Sequence, residues 1–214
     1  MTQQTLALLC ALTICTATSA LAHTVWIEPS DGRLVVRFAE PGDDFETSPG
    51  HLDSLSTPLG FTLMTNTAVP VQALKKSDHF LLVGASPTNT ACVETSFTVR
   101  GGRKPYFYAR WQPPGAEPAT PLLTLDLVPT GKPGEVRAWF RGQPLANIKA
   151  TLHAPDGTET EIIADQEGYL RFDVNAPGQY LLTIAHYREP LAGFHRGIAY
   201  KETSHNSALT WRQP

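Results

Sequence analysis

The chain has 214 residues, with 17 Lys and Arg against 20 Asp and Glu, for a formal charge of −3 with histidine neutral. That balance offers no basic face to nucleic acid or to an anionic lipid surface. Apolar residues make up 42%, enough to fill a core, so the 18 prolines and 16 glycines read as tight corners and not as disorder.

The first segment with a reading of its own is "LALLCALTICTATSALA", residues 6–22. It has the length of a secretory apolar region, falls short of a membrane span, and closes on Ala20-Leu21-Ala22, the small-x-small pattern of signal peptidase sites. Residues 1–22 are therefore expected to be a cleaved signal peptide, leaving His23 at the mature terminus, no direct membrane span and a periplasmic location. "MTQQT" lacks the usual basic residues, so an uncleaved anchor or a lipidated Cys15 stands as the alternative. Cleavage removes Cys10 and Cys15. Cys92 alone remains, which rules out an internal disulfide framework and reads as a small buried residue.

From there the chain reads as all-β. Short or alternating apolar runs recur at the spacing of sandwich strands: "RLVVRFA", "FTLMT", "HFLLVG", "SFTVR", "PYFYARW" and "LLTLDLV". A second set comprises "EVRAWFRG", "IKATLHA", "TEIIA", "GYLRFDV", "GQYLLTIAHY" and "ALTW", with turn signals such as "PDG", "DQEG" and "NAPGQ" between them. "VPTGKPGE" at 128–135 concentrates prolines and glycines between the two sets. The expectation is two consecutive β-sandwich domains, 23–128 and 129–214, each of the Ig-like or transthyretin-like kind.

The second half carries "VRAWFRGQPLANIKATLHAPDG" and "ADQEGYLRFDVNAPGQYLLTIAHY". These resemble a carboxypeptidase-regulatory or transthyretin-like module, a class that binds and braces more often than it catalyses. The start "AHTVWIEP", the strand "YFYARW", the joint "LDLVPTGKPGEV" and the ending "GIAYKETSHNSALTW" together resemble a periplasmic family of bacterial domains of unknown function (number 4198). The resemblance implies a periplasmic protein that binds a transition-metal ion, nickel or cobalt, and serves as chaperone to an inner-membrane metal importer. The long histidine-rich loop of a metal sponge is missing.

The candidate ligands are histidines, and all seven follow residue 22. A free N-terminal His23 would offer its α-amine and imidazole Nδ1 as a chelate, and a second histidine would complete a copper-type histidine brace. By period 2, His186 continues the face of Tyr180, Leu182 and Ile184, and His205 that of Ser207, Leu209 and Trp211, so both are expected at one end of a sandwich. His195, with Glu189 and Tyr200 as outer partners, and His51 in the loop "SPGHLD" join as further metal candidates. His79 and His153 read as structural or solvated, and Glu28 as a weaker ligand. No serine–histidine–acid motif, phosphate loop or paired-carboxylate signature is present. Metal binding is therefore preferred to catalysis. The runners-up are a copper histidine-brace protein, as chaperone or copper-dependent oxidase, and a metal-free adhesion module. Nitrogen ligands alone do not choose among nickel, cobalt and copper.

Overall fold

The computed structural model describes residues 23–65, 67–115 and 119–214, so the signal-peptide expectation for residues 1–22 lies outside the described residues. The fold is all-β. One short 3₁₀ turn, His51–Ser54, is the only helical element among the described residues, and no helix there is long and apolar enough to cross a membrane.

Strands β1 (Thr24–Ser30) and β2 (Arg33–Ala39) form a hairpin closed by Asp31 and Gly32, both at positive φ. That backbone twist matches the right-handed twist of paired strands, which is why a two-residue loop suffices. β3 (Leu59–Met64), β4 (Thr67–Lys75) and β5 (Phe80–Val83) follow. β4 turns the corner of the sheet: its first part pairs with β3 and its last four residues, Gln72 to Lys75, pair with β5. This sharing folds β1, β2 and β5 back over β3, β6 (Ala91–Ser96) and β7 (Arg103–Gln112). Val25, Ile27, Val36, Phe38 and Leu82 on one side meet Val93, Phe107 and Trp111 on the other, forming a first core.

A second layer follows in β8 (Leu125–Pro129), β9 (Glu135–Phe140), β10 (Gln143–Pro144) and β13 (Tyr169–Arg171). The remaining strands are β11 (Lys149–His153), β12 (Glu159–Ile163), β14 (Gly178–Glu189), β15 (Gly193–His195), β16 (Ile198–Tyr200) and β17 (Glu202–Gln213). β17 lies between β7 and β14, parallel to β7 from Glu202↔Arg103 to Trp211↔Gln112 and antiparallel to β14. The two strand sets thus meet in one central sheet, ordered β3-β6-β7-β17-β14-β11-β12. Its far face supplies Cys92, Tyr108, Leu182 and Leu209 to a second core with Leu125, Leu127, Val136 and Leu170. The stretch 128–135, expected as the joint, is the turn of the β8–β9 hairpin, with Pro129 paired to Val136 across it. "SFTVR" is no regular strand. β6 ends at Ser96, where the chain bends toward the β7 hairpin.

One buried ion pair ties the layers together. Arg110 on β7 donates to both carboxylate oxygens of Asp126 on β8, at 3.0 and 2.6 Å, and both side chains are fully buried. Asp126 also accepts the backbone N–H groups of Leu122 and Leu123. Beside it, burial pushes the Cys92 thiol up to about 12, leaving it a neutral packing group. Removing one partner strands a buried charge. We expect Asp126→Ala to lower unfolding free energy by roughly 3–5 kcal/mol in urea titration. A loss below about 1 kcal/mol, the scale of an exposed pair, would show the pair to be solvated.

Candidate metal centre

The β1–β2 register pairs Thr24 with Ala39, so the next residues out, His23 and Glu40, leave the hairpin side by side. After Glu40 the chain loops back, and the Glu46 N–H donates to the Phe38 carbonyl at 2.9 Å, which returns Glu46 to the mouth of the same hairpin. Gly50 then starts the short turn carrying His51. Its φ of 152° and a Thr47 carbonyl oxygen 2.7 Å from where a Cβ would stand restrict the position to glycine. Asp53 ties the turn down, accepting from Gly50 N–H at 3.1 Å, Ser48 Oγ at 2.7 Å and Lys75 Nζ at 2.9 Å. These bonds, that of Lys75 foremost, hold its carboxyl down to about 2, so the tether is ionised at any ordinary pH.

The result is a compact set of donors. His23 Nε2 lies 2.5 Å and His51 Nδ1 3.1 Å from the same Glu46 Oε1. One ligand atom from each residue lies within 4.8 Å of the other two. The other nitrogen of His23, Nδ1, faces Glu40 Oε1 at 3.3 Å. Burial alone would raise the Glu46 carboxyl, but the hydrogen bonds and charge of the two histidines outweigh it and hold it below the ordinary value. The His23 ring packs on Phe38 at 5.2 Å between centroids. Two imidazole nitrogens and one carboxylate oxygen make a donor set suited to a divalent first-row metal. With Nε2 toward the ion, Nδ1–H would donate to Glu40, the arrangement that fixes tautomer and ring orientation in histidine metal sites.

The set opens on a cavity of about 270 Å³, walled by Phe38, Phe97 and Phe107 and bounded by Arg100, Arg103 and His186. His186 arrives there through a β-bulge. β14 and β17 pair from Gly178↔Gln213 to Ile184↔Ser207, and pairing resumes at Tyr187↔His205. His186 sits at φ 58°, with its N–H donating to Asn206 Oδ1 at 2.9 Å. The extra residue reverses the alternation, so Tyr187 takes the inward phase expected of His186. Partial desolvation of this otherwise exposed residue, reinforced by Arg103 and Arg188, holds the His186 imidazole below its ordinary value.

His186 and His205 therefore stand on opposite faces of the strand pair, a correction to the shared inward face expected from period 2. His205 is buried in the second core, stacked against Tyr106 and Tyr108 and edge-on to Phe140. Both of its ring nitrogens are engaged, Nδ1 with Tyr108 Oη and Nε2 with Glu189 Oε2, each at 2.9 Å. His195 lies in the β15–β16 hairpin, outside the donor set, where burial and the nearby charges of Lys104 and Arg196 hold it below its ordinary value. Glu28 is occupied by Arg37 and Trp26, His79 by Asp78, and His153 by Glu159 and Thr183.

Of the five candidate ligands, the fold brings together His23 and His51, places His186 on the same cavity, and keeps His195 and His205 away. Glu40 and Glu46 were not singled out from the sequence. The available signal was an acidic loop, "EPGDDFE", between a strand end and the His51 turn. No protein-family model matches the chain, and no curated protein is found to be similar to it.

The His205 contacts give a testable pH dependence. Burial lowers its imidazole, Glu189 pulls the other way, and the net direction is down. A depressed folded value means the folded state favours neutral His205, so its contribution is complete above the unfolded value of about 6.5 and is lost as pH falls below it. Urea midpoints for the native protein should drop between pH 7.5 and 5.5, and His205→Gln should flatten part of that slope while costing about 1–3 kcal/mol at pH 7.5. An unchanged slope would show that His205 does not titrate with folding.

Proposed function

We propose that this chain is an exported, periplasmic metal-binding protein that holds nickel or cobalt through His23 Nε2, Glu46 and His51 and delivers it to an inner-membrane importer. The observation that carries the reading is the convergence of three ligand atoms within 4.8 Å beside an open cavity. On this reading residues 1–22 are removed as a leader, and the architecture is two sandwich modules built on a shared central sheet. The resemblance of "AHTVWIEP" and "GIAYKETSHNSALTW" to the periplasmic family favours nickel or cobalt over copper. The orientation of His23 favours a site made of side chains. A histidine brace would use Nδ1, the nitrogen that here faces Glu40, whereas Nε2 faces the Glu46 oxygen that His51 also contacts. Three protein ligands leave positions on the ion for solvent or cargo exchange, as a carrier requires.

Calorimetric titration with Ni²⁺, Co²⁺ and Cu²⁺ tests this on protein beginning at His23 and on protein with one residue added before it. We expect both forms to bind within a few-fold of one another. His51→Ala and Glu46→Gln should each lose at least ten-fold, and Glu40→Gln about ten-fold through the outer-ligand effect. Affinity should also fall as pH drops toward 5, because imidazole ligands must be neutral. Loss of binding in the extended form with His51→Ala unaffected would replace this site by an N-terminal chelate. Absence of binding by any form would end the metal reading.

A further inference from the structure

We propose that the cavity beside this cluster holds a small organic carboxylate with an apolar body, which coordinates the ion, so that the protein takes its metal as a cation–carboxylate complex. The inference rests on reading His23, Glu46 and His51 as a metal site, and three features of the cavity and its surroundings carry it.

The first is a pair of arginines set against their own stability. "RGGR" forms the β6–β7 turn, with Gly101 and Gly102 both at positive φ and Arg100 and Arg103 exchanging backbone hydrogen bonds at 2.9 and 3.0 Å. Like charges directly opposite each other on antiparallel strands repel. Arg103 is relieved by Glu202, 2.7 Å away, while Arg100 takes part in no ion pair among the described residues. An anion between the guanidinium groups removes that repulsion, and arginine forks suit a carboxylate.

The second is Ser204. It is 1% exposed, lies on the cavity wall, and its Oγ has no hydrogen-bond partner among the described residues. A buried hydroxyl left unpaired costs free energy that a ligand oxygen would recover.

The third is the division of charge. Arg100, Arg103, Phe38, Phe97 and Phe107 line the same cavity as His23 and His51, and Glu40 and Glu46 stand against the His23 ring. A bare cation is unfavourable beside the arginines and a bare organic anion beside the glutamates. A metal bound to a carboxylate satisfies both, and its apolar body meets the aromatic wall. The volume of about 270 Å³ lies at the small end of ligand pockets, the scale of a small acid.

The experiment titrates Ni²⁺ into the protein with and without mandelate, an α-hydroxy carboxylate carrying one aromatic ring, correcting for the complex formed in solution. Acetate serves as the carboxylate without a body. Wild type should bind Ni²⁺ about ten-fold more tightly with mandelate present, the effect of one charge-assisted contact. Acetate should give a smaller gain. Arg100→Gln should bind Ni²⁺ alone as wild type does and lose the mandelate gain, and Ser204→Ala should lose part of it. Arg100 is exposed, so its variant tests the idea without threatening the fold. Tight Ni²⁺ binding with no mandelate gain, or an equal gain in Arg100→Gln, overturns this proposal and leaves the metal site standing. No Ni²⁺ binding with or without mandelate overturns both.

Discussion

The parallel pairing of β7 with β17 is the constraint from which the rest of the structure follows. Ten consecutive partners, Glu202↔Arg103 through Trp211↔Gln112, set the C-terminal strand beside a strand from the first half of the chain. Parallel neighbours are usually covered on both faces, and β17 is buried without a break from Thr203 to Thr210. One face of β7 and β17 closes the first core and the cavity through Phe107, Ser204 and Asn206. The other closes the second core through Tyr108, His205 and Leu209. With period 2, each of these assignments depends on the same register.

The bulge in β14 shows how one residue can alter the chemistry of a surface. Without it, His186 would follow Ile184 into the second core, beside His205. With it, the aromatic packing position goes to Tyr187, whose ring meets Phe140 at 4.7 Å, and the imidazole goes to the cavity. Asn206 secures this arrangement, since its amide accepts from the His186 backbone and donates to the Tyr106 carbonyl at 3.0 Å. A left-handed backbone at a non-glycine residue costs on the order of 1 kcal/mol, and here a buried amide with both ends satisfied offsets it.

Much of the fold could be read from the sequence because alternation and turn chemistry are local. "RLVVRFA", "PYFYARW", "EVRAWF" and "GQYLLTIAHY" all coincide with strands, and His51 already stood out as a histidine in a glycine and proline loop. What could not be read was long-range. β4 carries Pro70 in mid-strand, a residue that argues against a strand until it is seen that only its end pairs with β5. No pattern within β17 says that it joins β7 in parallel, or that the turn at 128–135 closes a hairpin. The site followed the same rule. His23 and His51 drew notice as residue types with known chemistry, whereas Glu40 and Glu46 acquire meaning only when the β1–β2 register and the backbone bond from Glu46 to Phe38 bring them to His23.

The placement of charge argues that the cavity is a device and not a packing defect. Two glutamates gather on two histidines, so that three ligand atoms crowd together. Two arginines on the lining of the same cavity oppose each other across a two-residue turn, and Glu202 pairs with Arg103 but not with Arg100. A fold selected for stability alone would disperse these groups, because surface pairs contribute about 0–1 kcal/mol and like-charge pairs subtract. The rigid parts lie behind them instead: the Arg110–Asp126 pair, the aromatic stack on His205, and the Asp53 tether beneath His51. Stability is concentrated in the two cores and the shared sheet, and the cost of gathering these charges around one small cavity is carried by that frame.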